Sequence, residues 1–349
     1  MPSKKYHVNR RRICAAAIAG ASLLLVAACG GASTTGSTAA TGSTAATGST
    51  PATGTAKNLS LAFVPGATGN SFYDTLELGA KQEASKLGMS FSYQGSPDFA
   101  PSTQIPVVEA VCDRHPSALL VAPTDPVALR PALAQCMSEG VAVVLVDTSL
   151  TDKAGIVSAI TSDNVQGGEE AGQLIGQDLH GKGQVAILAI SATATTQVER
   201  ALGLKQELAA HYPGVTVQST QYVQQAESSS VTTASALLSA HPDLGAFFGI
   251  AGPSAQGAAQ AITSAHLKGK VIDIGYDAEP AAVQLLKSGD ISALVMQQPA
   301  LEGSLGVQYA YDYLTGQKSK IQSSVELPNV LATTATAGSP SISKYFYAP

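Results

Sequence analysis

VPGATGNSFYDTLELGAKQEASKLG, residues 64–88, runs from the end of an apolar strand through a Gly-rich turn into an amphipathic helix. The run at 59–64 before it is short and apolar, and after it Phe72, Leu76, Ala80, Ala84 and Leu87 recur at helical spacing. Asn70, Phe72 and Tyr73 therefore fall where the carboxyl end of a strand meets a helix. In open α/β sheets that crevice is where ligands bind, because the loops converge there. A small ligand is expected at this turn.

Strand and helix signals continue to alternate to the end of the chain. Strands are expected at 59–64, 89–94, 118–121, 141–147, 155–160, 184–190, 215–222, 246–250, 271–276 and 293–297. Several are apolar on both faces, as in VAVVLV at 141–146, which suits parallel strands covered by helices on both sides. Helices are expected between them, including 104–114, 127–139, 171–179, 198–211, 228–240, 254–265 and 301–314. The alternation implies a doubly wound α/β architecture. Ten strands crowd a single sheet of this kind, so two lobes are expected, with a break near 158–164, SAITSDN.

The first 28 residues read as a targeting leader: Lys4, Lys5 and Arg10 to Arg12 precede an apolar stretch that closes in Val26-Ala27-Ala28-Cys29. That closing pattern resembles a bacterial lipobox, with Cys29 as the lipidated residue. Removing the leader takes lysine plus arginine from 20 to 15 against 25 acidic residues, a net charge of about −10, the wrong sign for a nucleic-acid binder. Residues 30–57 repeat Gly-Ser-Thr-Ala-Ala-Thr with nothing large enough to bury, a flexible tether reaching about 28 Å. Two cysteines remain in the body, Cys112 and Cys136, near the ends of expected helices that flank the strand 118–121. A sheet that starts in the order 2-1-3-4, with right-handed crossovers, lays those helices side by side. A disulfide then suits an exported chain, the alternative being two buried thiols. The bridge would close a loop of about 25 residues and stabilise by about 3 kcal/mol on the chain-entropy view.

Catalytic and metal constellations are absent from the pattern. GPSAQG at 252–257 lacks the nucleophile-elbow spacing, and there is no GxxxxGK[ST] phosphate loop. His7 lies in the leader; His115, His180, His211, His241 and His266 fall near helix ends, no two at the spacing of a helical metal pair. No metal, no cofactor and no catalytic residue is assigned. What stands out is a set of polar groups at strand ends: Asp147, Asp277, Gln297, and Arg200 at the opening of the helix after 184–190. Carboxylates accept from hydroxyl pairs, guanidinium and amide groups donate, and the rings of Phe72 and Tyr73 cover an apolar C–H face, which is the chemistry of a sugar or polyol site.

At these residues the sequence resembles the type I periplasmic solute-binding proteins of the ribose-binding type. The resemblance covers residues 59–334 and is carried by GNSFYDTLELGAKQEASKLG, LLVAPTDPVALRPAL, VAVVLVDT, ITSDNVQGGEEAGQLI, ERALGL, SAHPDLGAFFG, VIDIGYDAEP and ALVMQQPALEGSLGV in that order. It implies two doubly wound lobes joined by a three-strand hinge, the N-terminal lobe from 58–160 plus 298–326 and the C-terminal lobe from 161–297 plus 327–349, with the ligand cleft between them. It implies Asn70, Phe72, Tyr73, Asp147, Arg200, Asp277 and Gln297 as ligand contacts. Gln94, Asp98, Gln197, Tyr222 and Gln225 are further candidates from neighbouring loops. Ala122, Thr148, Gln225 and Ala251 depart from the ribose pattern, which points to a monosaccharide or polyol other than ribose. The implied partners are an ABC permease with its cytoplasmic ATPase and, through Cys29, the outer face of the cell membrane; the implied state is a monomer. A sensor presenting the sugar to a membrane receptor is the alternative. A LacI-type regulator shares the fold but needs a helix-turn-helix where this chain has a leader and tether.

Overall fold

A computed structural model describes residues 58–347. The leader, the lipobox with Cys29 and the tether lie outside the described residues. In chain order the elements are β1 (Ser60–Val64), α1 (Ser71–Lys86), β2 (Ser90–Tyr93), α2 (Pro101–Cys112), β3 (Ala118–Val121), α3 (Arg130–Ser138), β4 (Ala142–Val146) and β5 (Ser158–Ser162). There follow α4 (Asn164–Asp178), β6 (Lys182–Ala189), α5 (Thr195–His211), β7 (Gly214–Val217), β8 (Gln221–Tyr222), α6 (Glu227–Ala240), β9 (Leu244–Gly249), α7 (Gly252–Ser264) and β10 (Ile272–Tyr276). The last are α8 (Pro280–Ser288), β11 (Ala293–Met296), α9 (Pro299–Leu314), β12 (Ser324–Leu327), β13 (Val330–Thr333) and α10 (Pro340–Ser343).

The strands form two sheets, one ordered β12-β5-β4-β3-β1-β2 and the other β13-β11-β10-β9-β6-β7, with β8 continuing the pairing along β6. All pairings are parallel except β11 with β13. β3 and β4 are buried at every position, as the two-sided apolar runs require. The chain passes from the first sheet to the second after β5, returns after β11 through α9, which packs on α1, and passes again from β12 to β13. In each lobe a helix pair approaches at glycines. A Cβ on Gly79 of α1 would lie 2.1 Å from the Ala300 carbonyl oxygen, and one on Gly203 of α5 would lie 2.0 Å from that of Val165. No side chain fits at either crossing.

Three local expectations are corrected. The stretch 215–222 is two strands, because β7 pairs with β6 at Lys182 to Val185 and β8 rejoins it only at Leu188 and Ala189. α4 starts at Asn164, seven residues before the apolar periodicity begins, since Asp163 caps it by accepting from the Gln166 amide at 3.0 Å. α5 starts at Thr195, so Arg200 sits in its second turn rather than at its opening. Cys112 and Cys136 are joined, and both are buried. Of the two readings open in the sequence, the bridge is the one present, between helices flanking β3 in a sheet that runs β2-β1-β3-β4.

Candidate functional site

The turn after β1 builds the first wall. Gly69 has φ +70°, a conformation that glycine adopts without steric cost, and Asn70 caps α1, its Oδ1 accepting from the Phe72 amide at 2.9 Å and the Tyr73 amide at 3.3 Å. The Asn70 oxygen is therefore engaged by the helix. The cap fixes Phe72 and Tyr73 in the first turn with their rings edge to face at 5.2 Å. The Tyr73 hydroxyl donates to Asp147 Oδ2 at 2.6 Å.

Asp147 and Asp277 occupy equivalent places on the two sheets, each the first residue past its strand and each in the left-handed region, with φ of 62° and 78°. Aspartate tolerates that conformation better than most residues, at a cost of about 1–2 kcal/mol. Asp147 is held by its amide, which donates to the Ile160 carbonyl at 2.9 Å and to Glu302 Oε2 at 3.1 Å. The Asp277 amide donates to the Val295 carbonyl at 2.9 Å. Asp277 Oδ1 accepts from Gln297 Nε2 at 2.6 Å and from the Tyr347 hydroxyl at 3.0 Å.

Arg200 is fixed from three sides. Nε donates to Asn164 Oδ1 at 2.9 Å, Nη1 donates to the Ile250 carbonyl at 3.0 Å, and the guanidinium lies 3.7 Å from the centre of the Tyr276 ring. Its Nη2 is buried with no protein partner, as is Gln297 Oε1. Buried polar groups are normally satisfied, so these two atoms present an unused donor and an unused acceptor.

Burial sets the charges. It pushes Asp147 up to about 6, although Arg200 and the Tyr73 hydrogen bond pull the other way. Glu302, buried beside Asp147, is pushed up to about 8 by burial and then by that neighbouring charge. The phenols of Tyr73 and Tyr347 are raised well above their ordinary range, by burial first and then by Asp147 and Asp277 respectively, so both stay protonated as donors.

All seven principal residues expected from the sequence, Asn70, Phe72, Tyr73, Asp147, Arg200, Asp277 and Gln297, line one cavity. Both sheets contribute to it. Gln197 and Gln225 line it too, but Gln197 is already engaged: its Oε1 accepts from the Ile190 amide and its Nε2 donates to the Ile250 carbonyl. Asp98 and Tyr222 line the wider mouth outside, where Tyr222 is exposed. Gln94 lies outside both, its Oε1 accepting from Arg114 at 2.7 Å. Sequence reasoning missed Tyr276, which reads as an ordinary strand residue, Glu302, and Tyr347. The signal for Glu302 was an acid in the first turn of the largely apolar α9; Tyr347 follows no pattern. Among the described residues, no cluster of histidine, cysteine, aspartate or glutamate could hold a metal ion, and no helix is long and apolar enough to cross a membrane.

A family profile described as "Periplasmic binding protein domain" matches residues 61–318. The ribose import binding protein RbsB of Haemophilus influenzae is 31% identical over 268 residues, spanning 77% of this chain and 90% of that protein. RbsB of Bacillus subtilis is 32% identical over 278 residues, spanning 79% and 88%. Among solved structures, an ABC transporter solute-binding protein from Agrobacterium vitis, bound with α-D-tagatopyranose, superposes with a TM-score of 0.80 at 32% identity, covering 83% of this chain and all of that one. With two parallel-dominated α/β lobes, a polar and aromatic cavity between their sheets, and these likenesses over most of its length, the chain belongs to the periplasmic binding protein family.

Proposed function

We propose that the cavity between the two sheets holds one monosaccharide or polyol, gripped by Asp147, Tyr73 and Phe72 from the first lobe and by Arg200, Asp277 and Gln297 from the second. The chain is a sugar-binding component of an ABC importer, an extracytoplasmic transport protein rather than an enzyme. The observation that carries the ligand reading is the pair of orphaned buried atoms, Arg200 Nη2 and Gln297 Oε1, in a cavity that also holds two aspartates and two rings. A ring hydroxyl is both donor and acceptor, so it completes the arginine and the glutamine alike. The rings of Phe72 and Tyr73 suit the C–H face of the same ligand. Relatives named for ribose import and a similar structure holding a tagatopyranose bracket pentoses and hexoses as the class. The finer reading is a monomer tethered to the outer face of the membrane through lipid on Cys29, delivering its sugar to the permease. The closing pattern Val26-Ala27-Ala28-Cys29 and the small-residue repeat after it support the tether.

The test is a thermal-shift screen of the mature chain against pentoses, hexoses, deoxysugars and polyols, followed by calorimetry on the best ligand. Asp277→Ala removes an acceptor from the cavity and is expected to weaken binding roughly 10- to 100-fold, the range for a hydrogen bond to a charged group. Unchanged affinity in Asp277→Ala would remove this residue from the site.

A further inference from the structure

The second-lobe half of the cavity is completed by a segment that arrives from the far end of the chain. After β13 the backbone turns through α10, and Ile342, Tyr345 and Phe346 pack against the large cluster that contains Phe72, Ala282 and Leu286. Lys287 of α8 lies 5.5 Å from the centre of the Phe346 ring, and the Tyr347 amide donates to the Ala278 carbonyl at 3.0 Å, so the segment is mounted on the second lobe. Tyr347 is 5% exposed. Its hydroxyl donates to Asp277 Oδ1 and accepts from the Gln297 amide at 3.3 Å, while its ring meets first-lobe Phe72 at 5.8 Å between centres. One side chain thus touches three cavity residues from behind, and those three come from both lobes.

The hydrogen-bond inventory gives this contact a consequence. A carboxylate oxygen has about two acceptor sites. Asp277 Oδ1 already accepts from Gln297 Nε2 and Tyr347, so it is filled; Asp147 Oδ2 accepts from Tyr73 alone among side chains. The two aspartates, alike in backbone, therefore offer different faces to a ligand: Asp277 presents only Oδ2. We propose that Tyr347 is a positioning residue that sets sugar selectivity, holding Asp277 and Gln297 so that Asp277 meets the ligand through Oδ2 alone and cannot span a neighbouring hydroxyl pair with both carboxylate oxygens. The inference rests on the sugar-binding reading above. The same phenol orients Gln297 through its backbone, with the amide nitrogen turned to Asp277 and Oε1 left for the ligand.

The test measures dissociation constants of the mature chain and two variants for D-ribose, D-arabinose, D-allose, D-tagatose and xylitol. Tyr347→Phe keeps the ring against Phe72 and deletes only the hydroxyl. It is expected to weaken the preferred ligand up to about tenfold, the scale of one buried hydrogen bond, and to weaken the others less, compressing the affinity ratios. Tyr347→Ala is expected to compress them further. The ligand-free melting temperature of Tyr347→Phe, read in parallel, separates this from unfolding. Affinity ratios that stay fixed in Tyr347→Phe, or fall uniformly with the melting temperature, overturn the positioning role. Failure of the wild-type chain to bind any pentose, hexose, deoxysugar or polyol of the thermal-shift screen overturns the sugar-binding reading instead.

Discussion

At the scale of single residues, burial raises two glutamic acids that neighbour the cavity aspartates. Glu302 and Glu279 are each pushed from 4.5 up to about 8, Glu302 by burial and the Asp147 charge, Glu279 by burial and the Asp277 charge. A folded-state value above the unfolded one means that the folded protein binds the proton more tightly. The stabilisation from that proton is complete below about pH 4.5 and is lost as pH rises towards about 8. Between those limits each group tilts stability by up to about 1.4 kcal/mol per pH unit. The ligand-free melting temperature is therefore expected to fall from pH 5 to pH 8 and then to level, with a shallower fall in Glu302→Gln. A melting temperature that rises over that range contradicts the assignment. The sequence made Asp147, Asp277, Arg200 and Gln297 readable because strand ends are readable, and polar residues there stand against an apolar background. It hid Tyr276, whose ring lies beneath Arg200, because an aromatic at the end of a strand is equally a core residue. It also made Asn70 readable: its oxygen caps α1, and the residue lines the cavity as well.

At the scale of elements, the position of Arg200 is decided one turn away. α4 and α5 cross so closely that a Cβ on Gly168 would lie 2.1 Å from the Arg200 carbonyl oxygen, and one on Gly203 would lie 2.0 Å from that of Val165. The same crossing lets Arg200 Nε reach Asn164 at the start of α4. Gly203→Ala must push the helices apart, because the obstructing atom is backbone. It is expected to cost about 1–3 kcal/mol in stability, as overpacking does, and to weaken sugar binding by misplacing Arg200. Leu202, 44% exposed on the same helix, is the control, and its alanine variant is expected to change either quantity little. Chemical denaturation of both variants decides it, and equal stabilities would mean that the crossing yields freely. These glycines sit in the quoted segments VQGGEE and ERALGL, but a glycine in a helix does not announce which neighbour it admits. The long apolar strands were readable for the opposite reason, since a two-sided run has few other uses. β12 and β13 were harder, being short and partly exposed strands at sheet edges with little periodicity.

At the scale of the whole molecule, the proposed ligand contacts are divided between two sheets joined by three chain crossings. Asp147 and Tyr73 belong to the first lobe, and Asp277, Gln297 and Arg200 to the second. No one lobe carries both aspartates. A sugar that touches both gains contacts in a closed arrangement that an open one lacks, and a ligand shifts such an equilibrium only by its difference in affinity for the two states. The tail tightens this argument, because Tyr347 is mounted on the second lobe yet packs against Phe72 of the first. Rotation of one lobe away from the other must therefore strain or break the Phe72–Tyr347 contact, which biases the ligand-free protein towards closure. Saturating sugar is expected to raise the melting temperature and to reduce the radius of gyration measured by small-angle scattering. Tyr347→Ala is expected to enlarge that reduction, since its ligand-free form opens further while its liganded form still closes. A radius of gyration unchanged by sugar in both proteins would mean that the lobes are already fixed around the cavity. The tail would then act on selectivity alone.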